Sequence, residues 1–264
     1  MSEANLIVTE RSDGICRIEI CRPEKKNALT TVMYTAMADA LDEAERDPAV
    51  RVILIHGQVG VPGVFTAGND LGDFLANPPL QEDPPPPVFR FLNTFSQLKK
   101  PFIAAVSGVA VGVGTTMLLH CDLVYAGQSA RFALPFVSLG LCPEAASSLL
   151  LPALAGHARA SELLLLGEPF NADKAREVGL VNAVLPDDQV FEHAMAQARK
   201  LAALPTASVK LTKQMLKSAQ RALIDQTMQS EMRSFKERLG SPEAKEAFNA
   251  FFEKRKPDFS SFNQ

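Results

Sequence analysis

Tryptophan is absent from this chain of 264 residues, and tyrosine, histidine and cysteine are few, with two, four and four residues. Its four cysteines, Cys16, Cys21, Cys121 and Cys142, form no C-x-x-C pair and stand beside no histidine cluster. This spacing argues against a zinc site and against a disulfide framework, and it favours reduced, buried cysteines. We therefore expect the protein to bind no metal ion.

An excess of either charge is also missing. The 27 Lys and Arg residues nearly balance the 30 Asp and Glu residues, which gives a formal net charge of −3. Such a balance provides no general attraction to nucleic acid or to an anionic membrane, so we expect neither as a partner. The first residues lack the basic segment and the long apolar run of a secretion signal, and we therefore expect a cytoplasmic protein.

One uncharged run, residues 102–119, has about the length of a membrane-spanning helix. It contains Gly108, Gly112 and Gly114, and glycines at this density are unusual in a regular helix. The pattern instead predicts a strand, a tight loop and the start of a buried helix.

Short apolar runs alternate with helical patterns over the first two thirds of the chain. Alternation over residues 6–10 and 15–20, on either side of Asp13 and Gly14, predicts a β-hairpin. Thr30 can cap a helix that ends near Arg46. The runs at 50–55, 102–106 and 122–126 are typical of buried parallel strands. Together these patterns predict an α/β fold.

The remainder of the sequence is mainly helical in pattern. Helices are predicted at 172–178, 188–204, 207–218, 222–239 and 242–255, the first capped by Asn171 and the last by Ser241. We divide the chain into an α/β core, residues 1–200, and a helical C-terminal region, residues 201–264. A proline-rich stretch at 77–87 is either a passive connector or a flap at the entrance to an active site.

Two glycine-containing segments could expose backbone N–H groups. The sequence FTAGNDL at 65–71 is typical of a turn that follows a strand. The segment 107–116 places three glycines between a strand and a helix, where free N–H groups could hold a phosphate or a developing oxyanion. Neither the phosphate-binding loop GxxxxGK[ST] nor the dinucleotide motif GxGxxG is present there.

Glu144 is the only charged residue between positions 132 and 155. A solitary acid in apolar surroundings is a candidate for a shifted pKa and for acid–base catalysis. The alternative is structural: Pro143 and Glu144 suit the first two positions of a helix, where an acid is favoured by the helix dipole.

Six segments in order resemble the enoyl-CoA hydratase/isomerase (crotonase) superfamily over essentially the whole chain. They are RPEKKNAL at 22–29, FTAGNDL at 65–71, PFIAAVSGVAVG at 101–112, CDLVYA at 121–126, AREVGLVN at 175–182 and FEKRKPDF at 252–259. The resemblance implies a crotonase-like spiral of ββα turns, followed by a helical C-terminal region that packs trimers. A homotrimer or homohexamer is therefore expected, and the apolar residues Ala247, Phe248, Phe251 and Phe252 of the C-terminal helices are predicted to pack against a partner subunit.

The resemblance also implies a site for an acyl-CoA thioester, with coenzyme A entering as part of the substrate and no permanently bound cofactor. The thioester carbonyl would accept hydrogen bonds from the backbone N–H groups of Asn69 and Val113, which form an oxyanion hole. Such preorganised donors stabilise an enolate. The other residues implied to bind substrate or CoA are Lys25, Lys26, Ala28, Ala67, Asp70, Leu71, Gly112, Thr116 and Phe136.

The chain departs from the hydratases of the superfamily at two catalytic positions. Their two water-activating glutamates correspond in motif register to Thr116 and Phe136. The segments LGLCPE at 139–144 and AVGVGTTMLL at 110–119 instead resemble the Δ3,Δ2-enoyl-CoA isomerases, which implies Glu144 as the catalytic base. The leading hypothesis is thus such an isomerase; the alternatives are an enoyl-CoA hydratase or another crotonase chemistry, and a non-catalytic acyl-CoA-binding homologue.

Overall fold

The computed structural model describes residues 6–60, 63–81 and 83–262. Its strands form two sheets, one of six strands and one of four. The strands in the described part of the chain are β1 Ile7–Ser12, β2 Ile15–Ile20, β3 Val52–Gly57, β4 Val64–Thr66, β5 Phe102–Val106, β6 Val109–Val111, β7 Leu123–Gly127, β8 Arg131–Ala133, β9 Phe170–Asn171 and β10 Ala183–Leu185.

The larger sheet has the order β1-β2-β3-β5-β7-β10 and is parallel except for the β1–β2 pair. That pair is the predicted hairpin, and its turn places Asp13 and Gly14 at positive φ angles of 51° and 77°. The predicted strand 102–106 is confirmed as β5, while β3 and β7 begin two residues and one residue later than predicted.

From β3 to β8, successive strands alternate between the two sheets. β3, β5 and β7 belong to the larger sheet, and β4, β6 and β8 belong to the smaller one, whose order is β4-β6-β8-β9. Each of the strand pairs β1–β2, β3–β4, β5–β6 and β7–β8 is followed by one or more helices, so this part of the chain repeats a ββα unit, as predicted. The uncharged run 102–119 accordingly forms β5, a turn, β6, a short helix at 113–116 and most of a 3-10 helix at 117–120.

Helices cover the sheets and make up most of the C-terminal part. They are α1 Thr31–Arg46, α2 Leu71–Ala76, α3 Pro87–Gln97, α4 Val113–Thr116, α5 Ser147–Ala155, α6 His157–Ser161, α7 Ala172–Glu177, α8 Val190–Ala203, α9 Thr206–Ser218, α10 Arg221–Leu239 and α11 Pro242–Phe252. The predicted caps are confirmed: the side chains of Thr30, Asn171 and Ser241 accept hydrogen bonds from the amides of their helices. No helix among the described residues is long and apolar enough to cross a membrane.

The larger sheet is buried on both faces. Along β3, Ile53 and Ile55 enter the core shared with α1 and α3, whereas Val52 and Leu54 enter a second core that α8 covers. This double burial explains why the parallel strands are continuously apolar rather than alternating.

The C-terminal helices differ from the prediction in what their apolar residues contact. We expected Ala247 and Phe248 to contribute to a trimer interface, but both are buried within the protomer. On α9, Leu211, Met215 and Leu216 are more than half exposed, and on α11 Phe251 and Phe252 are also more than half exposed.

Candidate active site

A cavity of about 780 Å³ lies between the glycine-containing loops and the C-terminal helices. The sequence segments that line it are 25–28, 67–74, 111–113 and 135–144, together with aromatic residues of α10 and α11. Of the predicted site residues, those that line it are Lys25, Lys26, Ala28, Ala67, Asn69, Asp70, Leu71, Gly112, Val113, Phe136 and Glu144. Thr116 does not line the cavity, but its hydroxyl donates a hydrogen bond to the Glu144 carboxyl.

Asn27 joins two of these segments and was not recognised from the sequence. It is buried, its φ angle is 53°, and its side-chain amide donates to the carbonyls of Ile20 and Phe65. Its side-chain oxygen accepts from the amide of Arg22 at 2.6 Å. Asn27 thereby fixes the 22–29 loop against the end of β4, from which the 67–71 segment leaves.

Arg22 and Asp70 make a second connection between the same two segments. The Arg22 guanidinium donates to an Asp70 oxygen at 2.7 Å and to the carbonyl of Ala28 at 2.8 Å. The other Asp70 oxygen caps α2 by accepting from the amides of Gly72 and Asp73. Burial alone would raise the pKa of Asp70, but the Arg22 and amide hydrogen bonds outweigh it, and the pKa lies below its ordinary value.

The geometry of a parallel bridge directs the Asn69 amide away from its neighbour Leu29. The amide of Leu29 donates to the carbonyl of Gly68, and the amide of Asp70 donates to the carbonyl of Leu29, so Asn69 itself contributes neither group. Its N–H group donates to no other described residue. The side chain of Asn69 accepts a hydrogen bond from the buried Tyr34 hydroxyl, which holds this loop against α1.

Like the Asn69 amide, the Val113 amide donates a hydrogen bond to no described residue. It stands at the first position of α4, where helix amides have no partner within the helix. Gly112, at φ 56°, makes the turn from β6 into α4. Gly68 lets the other loop approach closely, because a Cβ atom there would lie 2.7 Å from the carbonyl oxygen of Val111. The loops that carry the two free amides are therefore packed directly together.

Glu144 lies beside these amide-bearing loops and is only 7% exposed. The Thr116 hydroxyl donates to Glu144 Oε1 at 2.7 Å. Burial raises the pKa of Glu144 to about 7, against the lowering effect of the Thr116 hydrogen bond, and the nearby Glu231 carboxylate adds to the increase. The group can therefore accept and release a proton near neutral pH.

The structural alternative, in which Pro143 and Glu144 begin a helix, is wrong. α5 starts only at Ser147, and Ala145 and Ala146 between them have the left-handed φ angles 57° and 55°. The chain therefore turns sharply after Glu144. Glu144 gains no stabilisation from the first turn of a helix, and its environment is set by burial instead.

Aromatic side chains from the C-terminal helices close the cavity. Phe235 of α10 and Phe248, Phe251 and Phe252 of α11 line it. The sequence predicts these α11 aromatics to pack against a partner subunit, because helical periodicity does not distinguish such a surface from the wall of a ligand cavity. Phe251 and Phe252 remain about half exposed, although both line the cavity.

A second cavity, of about 580 Å³, adjoins the first between α3 and α10. Glu144 and Phe235 line both cavities. The other residues of the second cavity are Phe89, Leu92, Asn93, Gln97, Ala145, Asp225, Met228, Gln229, Met232 and Arg233. Glu144 thus stands where two spaces meet, with the free amides on one side of it.

Residues 77–87 lie away from the main cavity in the part that the structure describes, where none of them lines it. Several line a separate cavity of about 190 Å³ beside α1 and α2. Among the described residues, no three His, Cys, Asp or Glu side chains gather as they would around a metal ion. The four cysteines are free, and only Cys16 is fully buried.

The chain matches a family model described as Enoyl-CoA hydratase/isomerase over residues 10–262. It is 36% identical to the 1,2-epoxyphenylacetyl-CoA isomerase of Escherichia coli strain K12, over 96% of this chain and 98% of the relative. It is 32% identical to the 2,3-dehydroadipyl-CoA hydratase of the same organism, over 96% and 98%. A crystal structure of an enoyl-CoA hydratase/isomerase from Pseudoalteromonas atlantica T6c superimposes with a TM-score of 0.89 at 41% identity, over 97% of this chain and 100% of that chain.

Proposed function

Because this chain belongs to the enoyl-CoA hydratase/isomerase family and has the crotonase fold, we propose that it is a Δ3,Δ2-enoyl-CoA isomerase with Glu144 as its catalytic base. The observation that carries the proposal is the buried Glu144 carboxyl between two cavities, with a pKa near 7. The one other acid among the described residues that line the main cavity is Asp70, which is held by Arg22. Asp70 is therefore a structural group rather than a competing base.

The proposed reaction is a proton transfer from C2 to C4 of the acyl chain. The thioester oxygen accepts hydrogen bonds from the N–H groups of Asn69 and Val113, which lowers the energy of negative charge on that oxygen. The Glu144 carboxylate takes a proton from C2, and the C2–H electron pair moves into the enolate. The carboxylic acid then gives the proton to C4, and the double bond shifts from C3–C4 to C2–C3.

The residues at Thr116 and Phe136 support isomerisation over hydration. The Thr116 hydroxyl is fully buried and donates its hydrogen bond to Glu144. A hydroxyl of this kind cannot act as a base that takes a proton from water. Phe136 is buried and presents an apolar ring to the main cavity. Hydration needs a water that is held and activated, and these two residues supply neither function. The decisive assay supplies 3-enoyl-CoA and 2-enoyl-CoA of one chain length and compares the two reactions.

The pH dependence of kcat/KM should report the titration of Glu144. Only the carboxylate can take the C2 proton, so kcat/KM should fall about tenfold per pH unit below a midpoint near the Glu144 pKa of about 7, and level off above it. Thr116→Val removes the hydrogen bond that lowers this pKa, so the midpoint should move to higher pH. Rates measured across pH 5–9 for both proteins check this. A midpoint near the ordinary glutamate value would contradict a buried base.

We further propose that the protein is a trimer or a dimer of trimers, assembled partly through α9. Leu211, Met215 and Leu216 expose their side chains there, Leu216 to 79%, and exposed apolar patches commonly mark interfaces. Light scattering at micromolar concentration should give a mass of three or six chains. Leu216→Glu should lower that mass, whereas Val8→Glu on β1, the same kind of change at another exposed apolar position, should not. A monomeric wild-type protein would rule out the assembly.

A further inference from the structure

Glu231 is a buried carboxylate with an unusual set of partners. It projects from α10, is 8% exposed, and forms no salt bridge within the part of the chain that the structure describes. Its Oε2 accepts from the Ala146 amide at 2.6 Å, and its Oε1 accepts from the Ser148 amide at 3.0 Å and the Ser148 hydroxyl at 2.5 Å. Buried carboxylates are normally paired with cations, so these backbone contacts call for an explanation.

The backbone that Glu231 holds is the strained turn directly after Glu144. Left-handed φ angles are unfavourable for alanine, and two such residues follow each other here, Ala145 and Ala146. A side chain that caps a helix is normally local, but Ala146 occupies the cap position of α5 and cannot cap. Glu231 caps this helix instead, by accepting hydrogen bonds from the amides of Ala146, 85 residues away in the chain, and of Ser148.

Two further contacts fix the same turn. The Nε2 of buried His120 donates to the carbonyl of Ala145 at 2.7 Å, because a carbonyl can only accept. The Ser147 hydroxyl donates to the carbonyl of Glu144 at 2.6 Å. Of these anchors, Glu231 alone belongs to the C-terminal helices, and it lies one turn before Phe235, which lines both cavities.

We infer that Glu231 is a positioning residue for the proposed isomerisation: its carboxylate holds the turn 145–148 so that the Glu144 side chain meets Thr116 and the main cavity. The inference rests on the proposed function for its catalytic consequence. Its structural basis, the two amide hydrogen bonds, is independent of the reaction. It also gives α10 a direct part in building the active site.

Glu231→Gln tests this with little change of shape. A carboxamide has one acceptor oxygen, so it can satisfy only one of the two amides. The turn should loosen and kcat should fall by about 10–100-fold, the cost of a misplaced catalytic group, while KM stays nearly unchanged. Glu231→Asp keeps both acceptor oxygens and should recover part of the loss. Ser148→Ala removes only the hydroxyl contact and should have a much smaller effect than Glu231→Gln.

Ile224→Ala is the matched control for stability. Ile224 is buried on the same helix and lines neither cavity, so its truncation destabilises α10 without touching the turn. It should leave kcat close to the wild-type value. An equal loss of kcat in Ile224→Ala and Glu231→Gln would show that Glu231 acts only through general stability, and would overturn the inference.

Amide hydrogen exchange gives a readout that does not require activity. In Glu231→Gln the amides of Ala146 and Ser148 should exchange faster than in the wild type, while those of β5 keep their rates. Unchanged exchange at both amides would overturn the inference. A wild-type protein that does not isomerise 3-enoyl-CoA would contradict the proposed function, and the exchange result would still decide whether Glu231 anchors the turn.

Discussion

Glu144→Gln is expected to lower the rate of 3-enoyl-CoA isomerisation by about 10²–10⁴-fold, the usual contribution of a general base. The amide cannot take the C2 proton, yet it keeps an oxygen that can accept the Thr116 hydrogen bond. The cavity should therefore retain its shape, and the dissociation constant of a CoA ester should change little. Steady-state kinetics and calorimetric binding measure the two quantities.

The control for this variant is Glu162→Gln, the same substitution at an exposed acid. Glu162 lines neither cavity, so its replacement should leave kcat unaffected. If Glu144→Gln keeps more than about a tenth of the wild-type rate, the loss falls below the range of a general base and the assignment of Glu144 is wrong.

Hydration of a 2-enoyl-CoA is expected to be slower than isomerisation of the 3-enoyl-CoA by at least about 10²-fold, the lower end of a lost acid–base contribution. Among the described acids that line the main cavity, Glu144 is the one that forms no salt bridge. Phe136 lines the cavity at the position that corresponds to a water-binding glutamate of the hydratases. In the proposed reaction, exclusion of water would also leave the enolate in contact only with Glu144 and the amides of Asn69 and Val113.

The measurement compares kcat/KM for both reactions on substrates of the same chain length. Comparable values would mean that Glu144 alone can activate water, and the chain would then be better described as a hydratase. Binding of both CoA esters without turnover of either would favour the non-catalytic homologue. The three hypotheses that the sequence leaves open therefore give three different results.

Features set by neighbouring residues could be predicted from the sequence. The hairpin turn at Asp13–Gly14 and the helix caps at Thr30 and Ser241 depend on a few adjacent residues, and each was placed correctly. The α/β order followed from the apolar runs for the same reason. Glu144 was identified as unusual because its sequence neighbours carry no charge.

Features set by distant residues could not be predicted in this way. The structural alternative for Pro143 and Glu144, the start of a helix, is wrong because the Glu231 carboxylate that stabilises the left-handed alanines after Glu144 lies far along the chain. Asn27 was overlooked because its partners, among them Phe65, come together only in the folded chain. The apolar face of α11 was visible in the sequence, but nothing local indicated that it closes a cavity.

The meeting of the two cavities at Glu144 and Phe235 has a consequence for how such a protein can diversify. No other described residue lines both spaces. The wall formed by Asn93, Met228 and Met232 can therefore change without altering the loops of Asn69 and Val113. Substitutions in the wall between α3 and α10, whether natural or engineered, can therefore change the second cavity while the half of the site proposed to bind the thioester stays the same.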